Sequence, residues 1–264
     1  MQVTFVGTGD AFGSGGRAHT CLRLDHDGRA MMIDFGAGSI VGWRRLGFSF
    51  NDIDGILISH LHGDHFGGLP FLLLEAQFVD PRDKPLPIFG PPGLRSRLAM
   101  AMEAFFPGTT GIKWRFPWEI HEIAPPSRDN LAGFDVRTME VIHASGAPAT
   151  AVRIEAGGKA FAFSGDTAWA DALIDVSAGA DLFACEGHSM SPKAPGHMDW
   201  PRLRENLPRI SARRLVITHM GPEVLANLDA IRGESGLDAA YDGLGGKLWS
   251  GEGRRRNPRL PAVP

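Results

Sequence analysis

The chain contains few of the residues that would place it in several common protein classes. Its 264 residues include 2 cysteines, too few for the disulfide framework of a small secreted domain. No apolar run approaches the roughly 20 residues that span a bilayer, and no charged leader precedes the strand-like residues 2–6. We therefore expect a cytoplasmic protein without a membrane segment.

The chain also has no large excess of either positive or negative charge. The chain has 27 Lys and Arg against 30 Asp and Glu, a formal net charge of -3, whereas a protein that clamps a nucleic acid is expected to be basic. The one basic run, residues 254–256 with Arg259, lies in a Pro-rich end. We expect residues 251–264 to be a poorly ordered tail.

Two familiar catalytic motifs are missing as well. The chain has neither a Gly-x-Ser-x-Gly elbow nor a P-loop lysine pattern, so a serine hydrolase or an NTPase has no starting residue. An apolar content of 43% is enough for a sizeable core, and no low-complexity linker divides the chain. We expect one α/β domain over residues 1–250.

Hydrophobic periodicity alternates between the strand and helix repeats along the chain. Strands are predicted near residues 2–6, 20–25, 30–34, 55–59, 85–89, 134–142, 149–155, 159–164, 181–185 and 214–218. Helices are predicted near residues 38–46, 66–78, 92–105, 168–176, 200–209 and 222–231. Each half of the chain is therefore strand-rich first and helical afterwards.

The most informative segment holds His60, His62, Asp64 and His65, directly after the apolar residues 56–58. Alternate residues of an extended segment point the same way, so His60 and His62 can bind one ion. Asp64 and His65 follow where the chain must turn and can reach a second ion. Imidazoles with a carboxylate suit zinc better than magnesium or calcium. The segment predicts a site for two metals.

Two ions need more ligands, and the ends of three other predicted strands can supply them. His143 closes the alternating residues 134–142, Asp166 follows residues 160–165, and His219 follows residues 215–218. The ends of strands are where α/β proteins usually present functional groups. Any one of these residues could be a solvated strand end, but together they favour a metal site.

These motifs resemble those of the metallo-β-lactamase-fold hydrolase superfamily, along nearly the whole chain. The ribonuclease Z-like and phosphodiesterase-like branch is most similar, sharing the start at residues 7–9, the Ser-Gly-Asp-Thr at residues 164–167 and Thr218-His219. The resemblance implies an α/β fold, a four-layer αββα sandwich with a dinuclear metal site at one sheet edge. Homodimers are common among similar proteins, so the resemblance is compatible with a homodimer.

The resemblance also implies a ligand set and a mechanism. The first metal would be held by His60, His62 and His143, the second by Asp64, His65 and His219, and both by Asp166. A hydroxide shared by the ions would be the nucleophile, and Asp64 is also expected to be catalytic. The expected cofactors are two divalent ions, with zinc preferred and manganese or iron compatible with the same ligands.

A proton donor for the leaving group is also needed, and His197 is the candidate, because it follows a glycine turn just before a predicted helix. The His-Glu-Ala-Thr signature of ribonuclease Z is replaced here by a segment containing Cys185 and Glu186, so its histidine is missing. His188 is the alternative donor. The basic loop near the start of ribonuclease Z is also absent, which disfavours transfer-RNA processing.

Three functions are compatible with these residues. The leading hypothesis is hydrolysis of a small-molecule or short phosphodiester by a metal-dependent enzyme. A lactone, thioester or carboxylic ester is the alternative substrate, although the only tyrosine, Tyr241, weakens the lactonase version. The third hypothesis is a non-catalytic metal-binding protein. The natural substrate, the pathway, the metal and the oligomeric state are left open by the sequence.

Overall fold

The fold is a pair of stacked sheets, each with seven strands, in a computed structural model that describes residues 1–248. The strands in chain order are β1 (Gln2–Gly7), β2 (Cys21–His26), β3 (Arg29–Ile33), β4 (Gly55–Leu57), β5 (Leu86–Gly90), β6 (Trp118–Glu122), β7 (Ser127–Leu131), β8 (Phe134–Val141), β9 (Ala149–Ala156), β10 (Lys159–Phe163), β11 (Leu182–Glu186), β12 (Leu215–Thr218), β13 (Asp238–Ala239) and β14 (Gly245–Lys247). The first sheet has the order β14-β1-β2-β3-β4-β5-β6 and the second the order β13-β12-β11-β10-β9-β8-β7.

Helices cover the outer face of each sheet. They are α1 (Ser39–Arg45), α2 (Gly63–Phe66), α3 (Leu69–Phe78), α4 (Leu94–Phe105), α5 (Ala172–Ser177), α6 (Trp200–Asn206), α7 (Pro222–Ala226) and α8 (Leu228–Ser235). Every helix among residues 1–248 is too short or too polar to cross a bilayer.

Three apolar clusters hold the layers together. One packs α1, α3 and α4 on the first sheet around Trp43 and Leu73, and one fills the space between the sheets around Phe134 and Phe161. The third packs α5 to α8 on the second sheet around Phe183. Burial of these large side chains is the main favourable contribution to folding. The four-layer αββα architecture expected from the sequence is confirmed.

Strand direction determines where functional groups can lie. The strands β3, β4 and β5 are parallel, as are β10, β11 and β12. The carboxyl ends of parallel strands meet at one edge of a sheet, where α/β proteins place their sites. The segments after β4, β10 and β12, which carry His60, Asp166 and His219, therefore start from the same edge of the sandwich.

Four strands have no counterpart in the sequence prediction: β6, β7, β13 and β14. Each is an end strand of its sheet, and their residues are largely exposed or only partly buried. Without a buried face a strand has no apolar alternation to detect. The predicted helix at 66–78 begins only at Leu69, after Gly67 and Gly68, and Phe66 ends the separate helix α2. The predicted helix at 222–231 is in fact two, α7 and α8, which are divided at Asn227.

The expectation of one domain over residues 1–250 stays a prediction. The Pro- and Arg-rich residues 251–264, expected to be poorly ordered, lie outside the described residues.

Candidate metal centre

The seven predicted ligands lie together at the carboxyl edge of the sheets. The loop after β4 presents His60 and His62, and α2 carries Asp64 and His65. His143, Asp166 and His219 follow β8, β10 and β12. The local backbone conformation orients Asp166 and His219. Gly165 turns the chain at a φ of 59° just before Asp166, and His219 itself adopts a φ of 55°. A left-handed backbone at a non-glycine residue is unusual and concentrates at functional sites.

Three imidazoles form the first half of the centre. The ring centroids of His60, His62 and His143 are 4.7–5.0 Å apart, and Nε2 of His143 is 3.0 Å from Nδ1 of His62. One ligand atom from each of the three lies within 4.8 Å of the others. Such spacing suits one ion with imidazole ligands.

Two carboxylates and two imidazoles form the second half. Nε2 of His65 is 3.3 Å from Asp64 Oδ2 and 3.2 Å from Asp166 Oδ1. Nε2 of His219 is 3.1 Å from Asp64 Oδ2 and 3.4 Å from Asp166 Oδ2. The same Asp166 Oδ2 is 3.8 Å from Nε2 of His60. Asp166 therefore lies between the two halves, where a bridging ligand would have to be.

The donor atoms fit a divalent cation. His60 Nε2, His65 Nε2 and Asp166 Oδ1 are buried and have no hydrogen-bond partner among the described residues. Buried polar atoms are nearly always paired, so three unpaired atoms facing one small volume are costly to the protein alone. A transition-metal ion that accepts imidazole and carboxylate ligands would satisfy all three.

Other groups hold the imidazoles in orientation. Asp34, which is fully buried and has a φ of 56°, accepts a hydrogen bond of 2.7 Å from Nδ1 of His65. Nδ1 of His143 donates to the carbonyl of Gly196 at 2.8 Å. In both rings this leaves Nε2 free to face the centre, and such partners raise the metal affinity of the ligand that they orient.

Burial and neighbouring charges shift the pKa values of several residues in the centre. Burial acts to lower the pKa of His219, but Asp166 and a hydrogen bond to Asp64 outweigh it and raise that pKa to about 10. Burial lowers the pKa of His60 well below its ordinary value. Burial would raise the pKa of Asp64, yet His65 and His219 hold it far below its ordinary value. The carboxylates are therefore ionised and ready to attract a cation.

The predicted proton donor lies beside this centre. His197 Nδ1 is 2.6 Å from Oε1 of Glu186 and 3.8 Å from Oδ2 of Asp166. Glu186 is fully buried and also accepts from the backbone N–H groups of Thr167 and Met198, at 2.7 and 3.2 Å. His188, the alternative donor, stacks on His197 with ring centroids 4.6 Å apart.

Two residues of the site were missed by the sequence reasoning. Asp34 and Glu186 are polar residues at the carboxyl ends of β3 and β11, which is the signal that singled out His143, Asp166 and His219. Applied without exception, that signal would have found both. What it could not show is that Asp34 and Glu186 contact histidines of the centre.

Comparison with known proteins agrees with this architecture. Ribonuclease Z of Halorubrum lacusprofundi is 35% identical over 144 residues, which cover 54% of this chain and 44% of that protein. Similar ribonuclease Z relatives are also matched over less than half of their own length. Human tRNase Z, short form, has the same fold with a TM-score of 0.76 at 24% identity, covering 95% of this chain and 100% of that chain. The metallo-β-lactamase fold protein YhfI from Bacillus subtilis has a TM-score of 0.74 at 20% identity, covering 93% of this chain and 99% of that one.

The stacked sheets and the converging histidines and aspartates therefore define a metallo-β-lactamase-fold protein that is similar to ribonuclease Z. The superfamily inferred from the motifs is confirmed. One family is matched over most of the chain, residues 1–237. The chain belongs to the family described as anti-Pycsar protein Apyc1.

Proposed function

We propose that this protein is a metal-dependent hydrolase that acts on a phosphodiester. The observation that carries the proposal is the position of Asp166, whose carboxylate lies within 4 Å of imidazole nitrogens from both halves of the centre, His60 on one side and His65 and His219 on the other. A carboxylate in this position could bind two neighbouring ions, the arrangement used by two-metal hydrolases.

The residues that would hold the ions form two groups that share Asp166. His60, His62 and His143 would hold one, Asp64, His65 and His219 the other, and Asp166 both. The five imidazoles and two carboxylates favour zinc. Bound zinc supplies an activated water at neutral pH and neutralises charge on the reacting group.

The chain itself supplies a proton for the leaving group, and His197 is the residue that carries it. Burial acts to lower the pKa of His197, but its hydrogen bond to Glu186 and the charge of that carboxylate raise the pKa above its ordinary value. His197 thus keeps its proton to a higher pH than an unperturbed imidazole does, with Nδ1 hydrogen-bonded to Glu186. Its Nε2–H is then available to a leaving oxygen, which suits a general acid.

A phosphodiester is favoured over a carboxylic ester for a chemical reason. In-line displacement at phosphorus has an attacking and a leaving oxygen on opposite sides, and a pair of cations can stabilise both. The ribonuclease Z relatives support the same bond type. Asp64 lies at the start of α2 beside both His65 and His219, and its proposed role in catalysis is to help hold the second ion.

A turnover panel tests the proposal. Zinc-loaded wild type is assayed on bis-aryl phosphodiesters, cyclic nucleotides, lactones and thioesters, beside Asp166→Ala. The control is Asp229→Ala, which removes a fully exposed aspartate. We expect phosphodiester turnover in wild type and control, and loss of both turnover and bound zinc in Asp166→Ala, measured by elemental analysis.

Each other outcome has a defined meaning. Full activity in Asp166→Ala would refute the shared-carboxylate mechanism. Turnover of lactones or thioesters alone would replace the phosphodiester with a carboxylic ester, and a zinc-loaded protein inert across the panel would indicate a binding protein. Light scattering of the same samples would test the homodimer with which the resemblance is compatible.

A further inference from the structure

A second set of metal-binding side chains lies next to the seven-residue centre. Ligand atoms of Glu186, His188 and His197 lie within 4.8 Å of one another, with His219 also in reach. The first three belong to none of the ligand positions described above. One carboxylate and two imidazoles make a common zinc-binding combination.

The contacts among these three residues leave a metal-ligand atom of His188 without a partner. Glu186 Oε1 is 2.6 Å from His197 Nδ1, and the His188 ring stacks on that of His197 at an interplanar angle of 27°. Nδ1 of His188 is buried and has no hydrogen-bond partner within residues 1–248. A buried nitrogen without a partner is costly unless something binds it.

The backbone holds the two histidines in place. His188 and His197 lie at the two ends of a loop between β11 and α6, and the N–H of His188 donates to the carbonyl of Met198 at 2.8 Å. The N–H of Trp200 closes the same loop by donating to Ser189 at 2.7 Å. The ligands are therefore preorganised, which lowers the entropic cost of binding an ion.

We propose that Glu186, His188 and His197 form a separate site for a further divalent transition-metal ion such as Zn²⁺, and that an ion bound there inhibits the enzyme. His219 is assigned to the first centre, because its Nε2 faces Asp64 and Asp166 at 3.1 and 3.4 Å. Three protein ligands leave a coordination position for water. The inhibitory part rests on the proposed function, in which His197 delivers the proton.

The chemistry of binding explains both the inhibition and a weaker affinity. For the ion to bind, the N–H bond at His197 Nδ1 must break: the proton leaves to solvent, the hydrogen bond to Glu186 is lost, and the freed lone pair of Nδ1 binds the ion. No electron is transferred. The bound imidazole is neutral and no longer an acid able to protonate a leaving oxygen. Because a short charge-assisted hydrogen bond is lost, this ion binds more weakly than those of the first centre.

Counting metal equivalents tests the site without any substrate. Metal-free protein is titrated with Zn²⁺ in competition with a chromophoric chelator, for wild type and His188→Phe. Phenylalanine keeps a ring over His197 but has no nitrogen. His121→Phe is the matched control, because His121 lies half-exposed on β6 and stacks on Phe89. We expect His188→Phe to bind one equivalent fewer than wild type and control.

Inhibition is the second readout. Excess Zn²⁺ should inhibit wild type and His121→Phe. The Zn²⁺ concentration that halves the rate, each rate being normalised to that protein's own uninhibited rate, should be at least tenfold higher for His188→Phe. His188→Ala serves if His188→Phe fails to fold, as judged by circular dichroism. Equal numbers of equivalents in wild type and both His188 variants would overturn the site. So would a loss of more than one equivalent, which would place His188 in the first centre. The metal count remains readable even if no substrate is turned over.

Discussion

The hydrogen bond from His65 to Asp34 gives the sharpest test of how the centre is held. Asp34 accepts three hydrogen bonds of 2.7 Å, from the N–H and hydroxyl of Ser59 and from Nδ1 of His65. Asp34→Asn keeps the shape and suits the left-handed backbone, where asparagine is well tolerated. It replaces one acceptor oxygen by a donor group, so at least one of the three contacts must fail, and Oδ2 alone accepts two of them.

Either orientation of the amide has a cost. With nitrogen on the side of His65, the ring must move its proton to Nε2, the atom that faces the metal. With nitrogen on the other side, the N–H of Ser59 is left buried and unpaired, at about 1–3 kcal/mol. Loss of such an orienting partner typically reduces metal affinity about 10–100-fold, which corresponds to about 1.4–2.8 kcal/mol.

Two measurements on Asp34→Asn follow from this. Zinc affinity is measured by chelator competition, and the free energy of unfolding of the metal-free protein by urea titration. Asp242→Asn is the matched control, since Asp242 accepts from the N–H and hydroxyl of Thr8 and from the N–H of Ala18 but touches none of the ligands. Wild-type zinc affinity together with wild-type stability in Asp34→Asn would refute the reasoning.

Three further predictions address catalysis, stability and the metal. His197→Ala should lower kcat about 10²–10⁴-fold for phosphodiesters with alkoxide leaving groups and far less for nitrophenolate esters, whose leaving group needs no proton; equal losses in kcat assays of the two would contradict the acid role. Arg82 is buried and donates to four backbone carbonyls, so Arg82→Met should lower the free energy of unfolding by about 3–5 kcal/mol. Urea titration measures this loss, and a loss under about 1 kcal/mol would contradict the stabilising role of these hydrogen bonds. Removal of metal should lower Tm, and zinc at about 100 times its Kd should restore about 2.7 kcal/mol; an unchanged Tm in calorimetry would argue against a structured metal site.

Local pattern was enough for part of the fold. Strands such as β9 and β12, which have a buried face, carry the apolar signal along their own sequence. The exposed β7 and β14 do not, because their place in the sheet comes from pairing with β8 and β1. β14 and β1 are distant in sequence, and β7, although it forms a hairpin with β8, is too polar to show apolar alternation. Only the assembled sheet therefore identifies these two strands.

For the site, the amino-acid sequence by itself determined which chemical groups are available. These are histidines and aspartates at strand ends, without the Gly-x-Ser-x-Gly or P-loop motif of another mechanism. The run from His60 to His65 is local, so its spacing alone predicts a metal-binding loop. Tertiary structure decided which groups act on which. The contacts of Asp34 with His65 and of Glu186 with His197 join different strands and loops. Such contacts depend on how strands order within a sheet, and no local spacing encodes that order.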